Sequence, residues 1–107
     1  MFDNYKFIEN LPAELPEIPP DSIVSRQILR TNEMTVTLFG FASGQELSEH
    51  TAAFPAVLHF LAGEATVTLG SERFTATADS WIYMPAKLPH SIVAHKKVAM
   101  LLILLRG

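Results

Sequence analysis

The stretch AVLHFLAGEATVTLGSERFTATADSWIYMP, residues 56–85, decides the fold. It consists of short apolar-rich runs punctuated by turn residues. Ala56 to Leu61 leads into Ala62-Gly63-Glu64, and Ala65 to Leu69 leads into Gly70-Ser71-Glu72. Arg73 to Thr77 follows, then Asp79-Ser80, then Trp81 to Met84, which Pro85 ends. Thr66 and Thr68 alternate with Val67 and Leu69, the period-two pattern of a half-buried strand. No run shows a sustained helical period.

The same texture extends both ways. Upstream, Ile23 to Leu29 and Met34 to Phe41 read as strands about the turn Thr31-Asn32-Glu33, and Ser43-Gly44 marks the next turn. Downstream, His90 to Ala94 and Val98 to Leu105 flank His95-Lys96-Lys97. Short strands with turns every roughly 8–12 residues predict an all-β sandwich or barrel. Val98 to Leu105 is apolar on both faces, so both must be covered. One face can line the barrel. For a chain of 107 residues, a second subunit is the economical cover for the other, and a homodimer is expected.

Residues 1–21 read differently. Pro12, Pro16, Pro19 and Pro20 remove backbone donors and prevent regular pairing in a sheet. This is an N-terminal Pro-rich arm, expected to pack on the outside of the barrel or on a partner. The barrel itself is residues 22–107. Within the arm, Tyr5, Phe7, Ile8 and Leu11 are expected to form one short helical turn with an apolar face. Five acids stand there against Lys6 alone; the whole chain carries −3, so the barrel is nearly neutral. A basic stripe is missing, which argues against nucleic acid as a partner. With no cysteine, disulfides and thiolate metal sites are excluded. The longest apolar run, Val98 to Leu105, falls far short of the roughly 20 residues a spanning helix needs. The start of the chain lacks the basic and apolar regions of a signal peptide. A cytoplasmic protein with no membrane partner is expected.

His50 and His90 are the candidate functional residues. Each follows a turn, and each is expected at the start of an apolar run. An antiparallel barrel can bring two such positions together in its mouth, where neutral imidazoles can bind a metal.

These residues also carry a resemblance. Gly44-x5-His50, followed by Gly63-Glu64 after an apolar strand, resembles the first motif of the cupins, Gly-x5-His-x-His-x(3–4)-Glu-x6-Gly. Asp79-x5-Pro85-x4-His90 resembles the second, Gly-x5-Pro-x-Gly-x2-His-x3-Asn. The likeness covers residues 34–105 and is to small single-domain bacterial cupins. It implies a double-stranded β-helix (jelly-roll) barrel, commonly dimeric, with oxygenase or isomerase chemistry if the chain is an enzyme. It also implies a metal held by three histidines and a glutamate. Only His50 and His90 match that set here. The second histidine position is Ala52 and the glutamate position is Ala56. The motif-two glycines fall on Asp79 and Lys87, and its asparagine on Ala94.

A catalytic first-row metal usually has three protein ligands. Glu46 and Glu49 are the nearby carboxylates that could add to the pair. If residues 46–52 are regularly extended, Glu46 shares the His50 face, about 13 Å along the strand. Glu49 then points away. By the same alternation His59 faces outward, and His95 lies in an exposed turn. Two histidines with waters would hold zinc, manganese, iron or nickel weakly. The alternative is a metal-free pocket in which the imidazoles orient a small molecule, as in a sensor. Ala52, Ala56, Leu58, Phe60, Ile92 and Ala94 fall on the inferred inward faces. Such a pocket favours an apolar or aromatic organic molecule.

Overall fold

Residues 4–107 are described by the computed structural model. Nine strands among them form two antiparallel sheets. In chain order they are β1 (Ile23–Arg30), β2 (Met34–Phe41), β3 (Glu46–His50), β4 (Ala56–Ala62), β5 (Glu64–Leu69), β6 (Glu72–Thr77), β7 (Trp81–Met84), β8 (His90–Ala94) and β9 (Val98–Leu105). One sheet has the order β1-β2-β9-β4-β7, the other β3-β8-β5-β6. The strand pattern predicts such an all-β barrel, and its jelly-roll form is the one that the resemblance implies.

Alternation along each strand builds the core. From β4, Ala56, Leu58 and Phe60 point inward and meet Met84, Met100 and Val98 from the same sheet. Ala65, Val67, Ala76, Ile92 and Ala94 face them from the other sheet. β9 runs between β2 and β4, pairing Phe39 with Met100 on one side and Phe60 with Met100 on the other. Its inner face carries Val98 and Met100 in the core, and on its outer face Leu101 lies under the arm, so apolar residues stand on both sides of the strand.

β3 is the one strand that the residue pattern did not mark as such. Glu46, Ser48 and Glu49 are solvent-exposed, and only Leu47 packs on the core. His50 consequently ends a strand, whereas it was expected to begin one; His90 does begin β8.

The arm lies over the outer face of the five-stranded sheet. Ile8 and Leu11 flank a cleft with Ile28, Leu29, Val36 and Leu101. The Lys6 ammonium donates to the Ile28 carbonyl, and Glu14 pairs with Arg26 at 3.4 Å. Gly40 makes room for this packing. A Cβ there would stand 2.6 Å from Ile18 Cδ1 and 2.8 Å from Leu15 Cδ2. The helical turn of the arm is a single 3-10 turn over Leu11–Glu14, displaced from the expected Tyr5–Leu11. Pro12 explains the placement, because its fixed φ and missing N–H suit the first turn of a helix. Tyr5 and Phe7 precede it and are exposed.

Gly63 joins the two sheets. Its φ is +94°, and an added Cβ would overlap the Lys97 carbonyl oxygen and lie 2.8 Å from Val98 Cα. The obstacle is backbone, which cannot swing aside as a side chain can. Gly63→Ala should therefore cost more than the roughly 1–2 kcal/mol of left-handed strain alone. A urea-unfolding midpoint within experimental error of the parent protein's would contradict this account of the corner.

Candidate functional site

A bulge places the first histidine. In the β3–β8 ladder, Leu47 pairs with Ile92 and His50 with His90. Two residues of β3, Ser48 and Glu49, therefore stand opposite Ser91 alone. One extra residue in an antiparallel strand exchanges the faces of everything after it. Leu47 packs on the core and borders the cavity beside Ile92. Without the bulge, His50 would turn away from that interior; with it, the ring turns in.

The same bulge corrects the expected position of Glu46, while Glu49 points away as expected. Glu46 neighbours the inward Leu47 on a regular stretch and pairs with Val93, so it sits on the face away from the barrel interior. Glu49 is taken up by the bulge itself, and both carboxylates are exposed. Among the described residues, no three His, Cys, Asp or Glu side chains come together as a metal-holding group. The residues present thus do not make the four-ligand centre of the resemblance, whose other positions are Ala52 and Ala56.

The rings of His50 and His90 face each other, centroids 4.2 Å apart and planes inclined by 57°. His90 is buried and His50 is at the rim. Each ring is fixed by its own strand entry. Nδ1 of His50 lies 2.9 Å from the Ser48 carbonyl oxygen, and Nδ1 of His90 lies 2.8 Å from that of Leu88. A carbonyl only accepts, so each Nδ1 donates. In the neutral ring, Nε2 is then left with a lone pair. No buried side-chain nitrogen or oxygen among the described residues lacks a partner. His90 Nε2, which has none among the described residues, therefore opens onto accessible space.

Two cavities meet at this pair. A shallow one of about 70 Å³ is bordered by Ala52, Phe54, Ala56, Met84, Pro85 and Leu88 beside the two rings. A deeper one of about 220 Å³ is bordered by Phe39, Leu47, Leu58, Ile92, Met100 and Leu102, again with both rings. Ala52, Ala56, Leu58 and Ile92 thus lie where the cavities are. Phe60 and Ala94 point inward as well, but they are packed in the core and line neither cavity. Phe39, Leu47, Met100 and Leu102 complete the lining. Leu47 could have been found from its alternation with exposed neighbours; Phe39 stands between Leu38 and Gly40, both buried, and Met100 and Leu102 sit in a uniformly apolar strand that marks neither face.

The remaining histidines are elsewhere. His59 is on β4 opposite Trp81, with Nε2 3.8 Å from Asp79 Oδ1. His95 is in the exposed turn after β8 and meets Thr66 Oγ1 at 2.6 Å.

The loop before His90 closes the mouth. Lys87 N–H donates to the Ala52 carbonyl at 2.8 Å, and Lys87 has φ +68°. Asp79 has φ +73°. These are the two positions at which the second cupin motif carries glycine. The left-handed conformation is kept without the residue that adopts it most readily.

A family model described as the cupin domain matches residues 37–105. The chain belongs to the cupin family. No curated protein matches it. Solved structures agree on the barrel. A conserved protein of unknown function from Streptococcus pyogenes is 27% identical, covers 98% of this chain and 91% of its own, and has a TM-score of 0.84. A cupin superfamily protein from Desulfitobacterium hafniense is 24% identical over 86% of this chain and 84% of its own, with a TM-score of 0.81. A cupin 2 conserved barrel domain protein from Leptotrichia buccalis is 29% identical over 87% of this chain, but over only 45% of its own, with a TM-score of 0.80.

The tautomers of this cupin's histidine pair are open to direct measurement. Long-range ¹H–¹⁵N NMR spectra of the neutral rings should show both His50 and His90 with hydrogen on Nδ1. Hydrogen on Nε2 of either ring would overturn the assignment made from the carbonyl contacts.

Proposed function

We propose that this cupin binds a small, largely apolar organic molecule in the cavity beneath His50 and His90. The observation that carries the reading is the deeper cavity, whose only polar side chains are the two imidazoles. Apolar walls supply affinity through removal of surface from water. A few polar groups fix orientation. Replacing two ligand positions of the family by Ala52 and Ala56 enlarges the apolar share of the mouth. Because the residues present do not form a three-ligand metal centre, the function proposed is binding, as in a sensor or carrier, in the cytoplasm.

A second reading has an observation of its own. Histidines that ligate metals usually donate their other ring nitrogen to a carbonyl or carboxylate. Both rings here do so. A divalent ion such as zinc, manganese, iron or nickel would bind the two Nε2 atoms, with waters completing its shell. Two protein ligands make a weak site.

One set of measurements separates these. Toluene at about ten times its dissociation constant should stabilise the metal-free protein by about 1.4 kcal/mol, seen as a rise of several degrees in the melting temperature. Leu58→Trp, which fills the cavity, should remove that rise while the far-UV circular dichroism stays that of a β-protein. Elemental analysis of protein purified without chelator should find well under one metal per chain. A full equivalent of metal, lost in both His50→Ala and His90→Ala, would make the second reading the better one.

The outer sheet face supports a homodimer. Leu29, Val36, Ile103, Val57 and Tyr83 form one apolar row across all five strands. The arm covers the β1–β2 side of that face. Trp81 and Tyr83 on β7 remain exposed. A second copy laid on this face would cover what the arm does not. Sedimentation at micromolar concentration should give about twice the chain mass of 11.8 kDa. A single-chain mass would remove the dimer from the reading.

A further inference from the structure

The histidine pair consists of two acceptors with no donor facing them. Both Nδ1–H groups are committed to backbone carbonyls, at Ser48 and Leu88. Both Nε2 lone pairs are left over, on rings 4.2 Å apart. The rest of the deeper cavity is bordered by Phe39, Leu47, Leu58, Ile92, Met100 and Leu102, none of which has a side-chain N–H or O–H. A ligand in this cavity meets acceptors at one end and hydrocarbon everywhere else.

We infer that the ligand is a single-ring molecule whose head group is a neutral hydrogen-bond donor, best matched by a primary arylamine. This deepens the binding function proposed above and rests on it. The choice follows from comparing head groups. A carboxylate or carbonyl head would set acceptor against acceptor and leave the ring nitrogen of the buried His90 without a partner, which is costly. An ammonium would donate, but no carboxylate joins the pair to compensate its buried charge. A hydroxyl donates a single hydrogen and leaves one ring nitrogen to water. An arylamine has two N–H groups, is neutral near pH 7, and has little acceptor strength to satisfy. Size agrees with a single ring: the cavity of about 220 Å³ exceeds the roughly 150 Å³ that suffices for benzene in an apolar site.

The test ranks four compounds of similar size on the metal-free wild-type protein, kept in chelator, by ligand-observed NMR titration. They are aniline, phenol, toluene and benzaldehyde. Aniline should bind roughly fivefold to tenfold more tightly than toluene, as one or more net hydrogen bonds predict, and benzaldehyde most weakly. In His90→Phe, aniline and toluene should come within roughly twofold of each other. Equal binding of aniline and toluene by the wild-type protein overturns the inference and leaves the binding function standing. Tighter binding of benzaldehyde than of aniline overturns it too, by showing that the pair donates. Absence of binding by all four removes the binding function, and the inference with it. If His90→Phe does not fold, the wild-type ranking decides alone.

Discussion

The site depends on one irregular pairing, the bulge that gives Ser48 and Glu49 a single opposite residue on β8. A regular β3 would keep Leu47 inside and carry Glu49 inside with it. An unpaired carboxylate would then border an apolar cavity, at a desolvation cost of several kcal/mol. The extra residue puts Glu49 in water and His50 against His90. It also breaks the ladder locally, which makes the Ser48 carbonyl available to Nδ1 of His50. A change of strand register thus selects the residue type, the ring orientation and the tautomer together.

Much of the barrel was legible because its strands are half-buried. Period two shows in Met34–Phe41 and in Glu64–Leu69, and turn residues bound both. β3 was not legible for a physical reason. It is an edge strand with four exposed polar residues out of five, so nothing in its composition separates it from a loop. The bulge was hidden too, since alternation counts residues and a bulge miscounts them. For this reason Glu46 was expected on the His50 face. In the arm, Tyr5 and Phe7 suggested an apolar helical face, yet their aromatic rings stay in solvent and the 3-10 turn follows Pro12 instead.

Alternation reports which face a side chain is on and not how far along the barrel it lies. Phe60 and Ala94 show the difference. Both point inward, as Leu58 and Ile92 do. But Phe60 stands next to the Gly63 corner, and Ala94 pairs with Ala65 at the same end. There the sheets close on one another and the side chains fill the space. Two residues back along each strand, at Leu58 and Ile92, the interior opens into the cavity. The taper comes from the sheet corner at Gly63, which no count along β4 or β8 could reveal.

The two alanines change the chemistry as well as the volume. A centre with a carboxylate and three imidazoles attracts a dication because its charge and its lone pairs converge. Ala52 and Ala56 remove the charge and half the lone pairs, and the bulge holds the nearest carboxylates outside. What stays is a pair of imidazoles at the end of a hydrocarbon wall. Apolar contact there contributes affinity without much discrimination, because one methylene more or less changes binding only modestly. Discrimination falls to the two ring nitrogens. A molecule that cannot donate leaves them unpaired and forfeits far more than the bond it fails to make. Alanine at two ligand positions, together with ring tautomers fixed by backbone carbonyls, fits the binding function proposed above, and it needs no change in the barrel that surrounds the pair.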